Sequence, residues 1–164
     1  MEFHPLLDYG KFDLKNERNL VYWKFGELIK TLITLSSNSE RQFEIIGYGA
    51  VCCEMAEDFD LYFTLMVDQY RNFNLLTNLQ LEKLEELDLF FDNRSGDKSP
   101  DFWDDFLLET SHEWDLVRNM AKDILKLLKM EDLQLEIERE EKFEETNKGR
   151  KLIMQCTKIR LIKK

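Results

Sequence analysis

The spacing of the hydrophobic residues changes once along this chain, after Met130, and that change most constrains the fold. Before it, apolar residues recur every three or four positions, as on one face of an α-helix. After it, apolar and polar residues alternate, as in a β-strand. The pattern predicts a mainly α protein of the α+β class: a bundle of about five helices over 16–130, closed by a C-terminal antiparallel β-hairpin over 133–162. At 164 residues the chain fits one domain, 1–164.

The helical region divides into segments of different length. A first helix is predicted from about Asn16 to Leu35. A second apolar stripe runs from Tyr48 to Tyr70, and a single helix of that extent, with its lead-in, would be about 45 Å long. Because this is long for such a small domain, we expect a break, either at the glycines of 47–49 or around 58–60.

Short polar motifs predict where three of the helices begin. Ser39 with Gln42 and Thr77 with Gln80 have the spacing of a capping box, in which each side chain bonds the other residue's backbone. Ser111 is expected to cap the last helix.

The two arms of the predicted hairpin match in sequence. Asn147, Lys148 and Gly149 suit a three-residue loop with glycine in the left-handed region. Pairing residues whose numbers sum to 296 sets apolar against apolar and acid against base. The pairs are Leu135–Leu161, Ile137–Ile159, Phe143–Ile153, Glu136–Arg160 and Glu138–Lys158. A helix over 131–148 is the open alternative, because Glu and Lys are good helix formers.

Charge and cysteine content limit the partners. The net charge of -10 disfavours nucleic acid and anionic membranes, which require a basic face. Residues 131–146 carry -6 and residues 147–164 carry +7. Three cysteines, two of them adjacent, do not form a disulfide framework, so we expect buried thiols and a reducing, cytoplasmic location. We see no signal peptide and no apolar run long enough to span a membrane.

The segment from Glu82 to Glu109 combines acidic and aromatic residues. It holds ten acids and three bases, a net charge of -7, interleaved with five Phe and Trp side chains. Such a surface suits a basic protein partner, because carboxylates speed the encounter and aromatic side chains supply binding energy. The predicted contacts are Asp97, Asp101, Trp103, Asp104 and Asp105. The alternative is a solvated rim around core aromatics.

An enzymatic alternative rests on carboxylates at helical spacing. The chain has no phosphate-binding loop, dinucleotide motif or zinc motif, so we expect no cofactor and no catalysis. Glu54 with Glu57, and Glu85 with Asp88, nevertheless resemble the carboxylate pairs of all-helical nucleotide pyrophosphohydrolases. That likeness implies Mg²⁺ held between two helices and cleavage of a nucleotide.

A second resemblance concerns the last predicted helix. Its Trp114, Arg118 and Ala121 are spaced as in the Trp-x-x-x-Arg-x-x-Ala helices of several bacterial polymorphic-toxin immunity proteins, which are small, acidic and helix-rich. The likeness implies a protein that neutralises a cognate toxin by occluding its active site, without turnover. It designates no binding residue in this chain.

Overall fold

The computed structural model describes residues 2–164, and it confirms a mainly α protein with a C-terminal β-hairpin. Short 3-10 turns connect several of the elements. The helices are α1 (Glu17–Ser36), α2 (Ser39–Ile46), α3 (Val51–Tyr62), α4 (Val67–Asn72), α5 (Asn78–Asp92) and α6 (His112–Leu127). The strands are β1 (Leu133–Thr146) and β2 (Gly149–Lys163). Among residues 2–164, no helix has the length and apolar character needed to cross a membrane.

Helix α1 is the centre of the bundle. It packs against α3 and α6, and against the base of β1. The stripe that predicted it is buried throughout, because spacings of three and four keep these side chains on one face. Those residues are Val21, Phe25, Leu28, Leu32 and Leu35.

The long helix that the stripe from 48 to 70 would form with its lead-in is interrupted twice. The first break lies at Gly47, where a φ of +78° ends α2, as expected from the glycines. The second follows Tyr62, where a 3-10 turn separates α3 from α4. Residues 58–60 lie inside α3, so the alternative break predicted there is wrong.

All three predicted helix starts are found to within one residue, and two of the three predicted caps are confirmed. Thr77 and Gln80 form a reciprocal capping box, and the hydroxyl of Ser111 accepts from the backbone N–H of Trp114. The box at Ser39 is wrong: Asn38 caps α2, accepting from the N–H of Arg41 at 2.8 Å. The side chain of Gln42 instead lies in the core, where its amide donates to carbonyl groups at the end of α1.

The hairpin follows the predicted register over most of its length, which excludes the helical alternative for 131–148. From Leu133 to Lys142, paired residues sum to 296. Between Lys142 and Phe143 the register shifts, so Phe143 faces Leu152 and Ile153 is the extra residue of a bulge. The predicted Phe143–Ile153 pair is therefore wrong. The loop itself has two residues, 147 and 148, because Gly149 pairs with Thr146, so the predicted three-residue loop is wrong. Gly149 has the positive φ that was expected of it, +107°.

The hairpin is attached to the bundle at its base only. Leu133 and Leu135 belong to the core, whereas both strands are largely exposed beyond Glu140. Two arginines fix the hairpin to α2: Arg41 donates to the carbonyl of Leu135 at 2.6 Å, and Arg139 donates to the carbonyl of Ile45 at 2.9 Å.

Arg118 connects four parts of the bundle. Its side chain is buried, with 7% of the residue exposed. The guanidinium donates to the carbonyl of Ser37 after α1, to Oε1 of Gln42 in α2, and to the carbonyl of Leu108, at 2.9 to 3.1 Å. It also pairs with Asp115 in its own helix at 2.8 Å. One side chain thus satisfies polar groups that would otherwise be buried without partners.

Replacing Arg118 with Leu should lower the free energy of unfolding by about 3–5 kcal/mol, because the buried carbonyl groups lose their donors. Urea denaturation measures the change. The matched control is Lys122→Leu on the exposed face of the same helix, expected to stay within about 0.5 kcal/mol of the parent protein. Equal losses in both variants would contradict this role for Arg118.

Candidate interaction face

Helix α3 is capped by a residue distant in sequence. Ala50 precedes it and gives no side-chain bond to its first turn. The carboxylate of Asp105 takes that place, accepting from the backbone N–H of Val51 and of Cys52, each at 2.9 Å. This contact holds the segment of 99–108 against the start of α3, which fixes one border of the candidate site.

Helix α5 lies alongside α3. It buries an apolar stripe of Leu81, Leu84, Leu87 and Phe91. The hydroxyl of Thr64, just after α3, donates to the carboxylate of Asp88 in α5 at 3.0 Å. The exposed sides of α3 and α5 therefore border one groove between them.

An acidic groove of about 580 Å³ lies between α3 and α5. Four carboxylates line it, from Glu57 and Asp60 of α3 and from Asp88 and Asp92 of α5. The floor is apolar and includes Ala56, Phe59, Phe91 and Trp103. Among residues 2–164, none of the four carboxylates forms an ion pair.

The negative charge in the acidic groove is not compensated. Burial raises the pKa of Asp88, and the neighbouring Asp92, Asp60 and Glu85 raise it further, against the lowering effect of the bond from Thr64. Burial and the charge of Glu57 likewise raise the pKa of the Cys53 thiol. A bound cation would relieve this repulsion, so the acidic groove favours a positively charged ligand.

A related acidic contact lies on the α1 side of α3. Asp58 is half-buried, and burial raises its pKa from 3.8 to about 6. The charges of Glu54, of Glu27 in α1 and of Glu57 add to this shift. The ionised form of Asp58 is therefore less favourable in the folded chain than in the unfolded one.

The five predicted contact residues have different surroundings. Asp97, Asp101 and Asp104 are exposed, and the Asp104 carboxylate also accepts from the N–H of Phe106 at 2.9 Å. Trp103 is half-buried: its indole donates to the carbonyl of Arg94 at 2.6 Å, and one face is stacked on Phe102. Asp105 is engaged at the start of α3. Only part of this set is available to a partner.

The four residues of the enzymatic alternative do not converge. Glu57 and Asp88 line the acidic groove. Glu54 bends back over Gly49, and Glu85 pairs with Arg71 at 3.1 Å. Across residues 2–164, no three or more His, Cys, Asp or Glu side chains are grouped so that they could hold a metal ion.

Three candidate residues were missed in the sequence. Asp60 lies three residues after Glu57, and Asp92 lies four after Asp88, so helical spacing could have placed both on the rim. Phe106 gave no such signal, yet 96% of it is exposed, on a 3-10 turn held by the carboxylates of Asp104 and Asp105.

The cysteines and the Trp-x-x-x-Arg-x-x-Ala motif do not contribute a site. Cys52 is buried, as expected, and burial raises the pKa of its thiol; Cys156 is exposed, so the expectation of buried thiols is wrong there. Trp114, Arg118 and Ala121 are all buried, which makes the motif part of the core.

The comparisons with known proteins do not add to this description. No family model matches the chain, and neither the curated proteins nor the solved structures gave a match.

Replacing Asp105 with Ala should cost about 1–2 kcal/mol of stability, because the first turn of α3 loses its cap. Chemical denaturation measures the loss, and amide hydrogen exchange at Val51 and Cys52 should become faster. Asp101→Ala is the control, since that carboxylate is exposed and caps nothing. Unchanged exchange at both amides in the Asp105 variant would disprove the contact.

Replacing Asp58 with Asn should stabilise the protein at neutral pH. Because the folded-state pKa of Asp58 is raised, its contribution to stability is present below about pH 4 and is lost as the pH rises towards 6. After allowance for its partial exposure, we expect a gain of about 1 kcal/mol at about pH 7 and almost none at about pH 4. Melting curves at both pH values test this, with the exposed Asp123→Asn as control. A gain of equal size at both pH values would contradict it.

Proposed function

We propose that this chain is a binding protein that receives a positively charged segment of a partner protein in the acidic groove. The observation that carries the proposal is the set of four carboxylates without ion pairs above an apolar floor. Arginine and lysine side chains suit this arrangement, because their stems pack on apolar surface while their charged ends meet carboxylates.

The surface around the acidic groove supports the same kind of partner. Asp97, Asp101 and Asp104 extend the negative charge beyond the rim, which would speed the approach of a basic protein. Phe106 adds a large apolar side chain in full contact with solvent, and its turn is held by two carboxylates. A rigid exposed aromatic residue within a charged surface is typical of binding hot spots.

The biological role that fits best is that of an immunity protein acting in the bacterial cytoplasm. The support is the resemblance of the last helix and the acidic, helical character of the chain. In this role the chain would occlude a toxin's active site, with no turnover and no cofactor. Toxins that act on nucleic acid need basic active sites, and an acidic groove is complementary to such a surface.

A titration with a fluorescent hexa-arginine peptide tests the acidic groove. We expect saturable binding that weakens as salt is added, since the attraction is screened. The double variant Asp60→Asn/Asp92→Asn should bind about tenfold more weakly, a loss of about 1.4 kcal/mol. The control Asp123→Asn/Asp132→Asn makes the same change of charge at exposed positions elsewhere. Equal weakening in both doubles would show that only the net charge matters and would reject the groove.

The full-length partner provides the test of the immunity role. The product of the neighbouring gene should co-purify with this chain, and the Asp97→Asn/Asp101→Asn/Asp104→Asn variant should bind it more slowly at low salt. If that product is unrelated to toxins and does not bind, the immunity role fails, whereas the peptide result stands independently.

The hydrolase alternative retains one favourable observation, that Glu57 and Asp88 face the same groove. It predicts Mg²⁺-dependent release of pyrophosphate from a nucleotide that Glu57→Gln abolishes. The binding proposal predicts no turnover with or without Mg²⁺, so a pyrophosphate-release assay separates the two functions.

A further inference from the structure

The outer edge of β2 carries backbone groups that are not used within the hairpin. The carbonyl of Leu135 is bonded by Arg41 from outside the ladder, so the Leu135–Leu161 pair points its N–H and C=O groups outwards. The Ile137–Ile159 pair lies two residues further along each strand, so its N–H and C=O groups also point outwards. Within residues 2–164, the outward groups of Ile159 and Leu161 have no hydrogen-bond partner.

A second groove, of about 550 Å³, lies beside this edge. Five consecutive residues of β2, 159–163, line it. A strand that contributes every successive residue to a groove presents its edge there, since its faces would contribute only alternate residues. The other lining residues include the apolar Leu6, Leu7 and Trp23, and also Asp8 and the ion pair of Glu27 with Lys30.

The floor of this edge groove includes Gly26, in the middle of α1. A Cβ atom at this position would have no heavy atom within 4 Å. Glycine in a helix interior lowers stability by about 1 kcal/mol relative to alanine. Because a Cβ would fit here, packing within the chain does not explain why this position is glycine. A glycine on an open floor does allow a second backbone to approach closely.

The charge of β2 defines what can pair with it. On the outer face of the hairpin, Arg160 bonds Glu136, and Lys158 lies opposite Glu138. A third strand with acids beside these two bases would continue the alternation of acid, base and acid.

We propose that the edge groove accepts an extended segment of a partner protein, which adds to β2 as a third strand. The segment alternates acidic residues, beside the bases of β2, with apolar residues that enter the space lined by Leu6, Leu7 and Trp23. A second copy of β1 has this alternation, but its own edge is covered at Leu135 by Arg41. The site lies apart from the acidic groove, so it is independent of the proposed function.

Peptide titration tests this site on the full chain. The probe is a fluorescent heptapeptide in which glutamate alternates with valine, followed by fluorescence anisotropy. We expect saturable binding, about tenfold weaker for the peptide with lysine in place of glutamate. A glutamate peptide N-methylated at alternate amides should lose binding, because it cannot bond the strand edge.

Two variants test whether the peptide binds in the edge groove. Gly26→Leu fills the floor of the edge groove and should abolish binding while the protein melts no lower than the parent. Arg160→Gln leaves the floor unchanged and removes a base that the acidic residues of the segment lie beside, so it should weaken binding of the glutamate peptide alone; it serves also if the Leu variant fails to fold. The matched control is Lys126→Gln, an exposed lysine of α6.

Three results would overturn the proposal. One is equal affinity for the glutamate and lysine peptides. Another is binding that survives both Gly26→Leu and Arg160→Gln. The third is a concentration-dependent dimer in sedimentation that Gly26→Leu abolishes while neither peptide binds, since the occupant would then be a second copy of the chain.

Discussion

The buried guanidinium of Arg118 is the interaction on which the arrangement of this bundle depends. The end of α1, the helix α2 and the segment before α6 all leave carbonyl or amide groups in the interior, and each must find a donor there. Arg118 supplies it to Ser37, Gln42 and Leu108 with one planar group. Because its geometry is fixed, the three elements are held in one mutual orientation, which in turn positions Asp105 and the start of α3.

The crowded carboxylates of this protein lie at the edge of the bundle, outside the apolar core. Burial, and after it the repulsion from neighbouring carboxylates, raises the pKa of Asp88 in the acidic groove and of Asp58 on the α1 side of α3. Such repulsion reduces the stability of the free protein, and a cationic partner would recover that free energy on binding. In the proposed function, the stability lost in the unbound state would be the source of selectivity for a positively charged partner.

Elements that depend on local pattern could be predicted from the sequence. The burial of α1 follows from its periodic apolar stripe, and the hairpin register follows from matched pairs such as Leu135 with Leu161. The bulge at Ile153 could not be foreseen, because a shift of one residue still sets apolar against apolar at Phe143. The error in the cap of α2 has a similar origin, because Asn38 and Ser39 are equally good caps. Tyr48, the first residue of the predicted stripe, lies between α2 and α3 and is 61% exposed.

The candidate site was predicted only in part, because its geometry depends on long-range contacts. The acidic segment was found by composition, and Glu57 and Asp88 by helical spacing. No local signal shows that Asp105 caps a helix that begins 54 residues earlier in the chain, or that the indole of Trp103 bonds the carbonyl of Arg94. Charge and aromatic content thus indicated the region around the acidic groove, whereas the tertiary fold decides which of its side chains remain available.

The joint between α2 and the hairpin has a mechanical consequence. Gly47 has a left-handed φ, and a Cβ atom there would lie 2.8 Å from the side-chain nitrogen of Gln155 and 3.0 Å from a guanidinium nitrogen of Arg139. Backbone and side chains are therefore in close contact at the point where the hairpin leaves the bundle. Arg139 also donates to the carbonyl of Ile45, so a rotation of the hairpin relative to the bundle would have to displace α2 as well. A force applied at its far tip would be transmitted to the short helix that Arg118 holds in place.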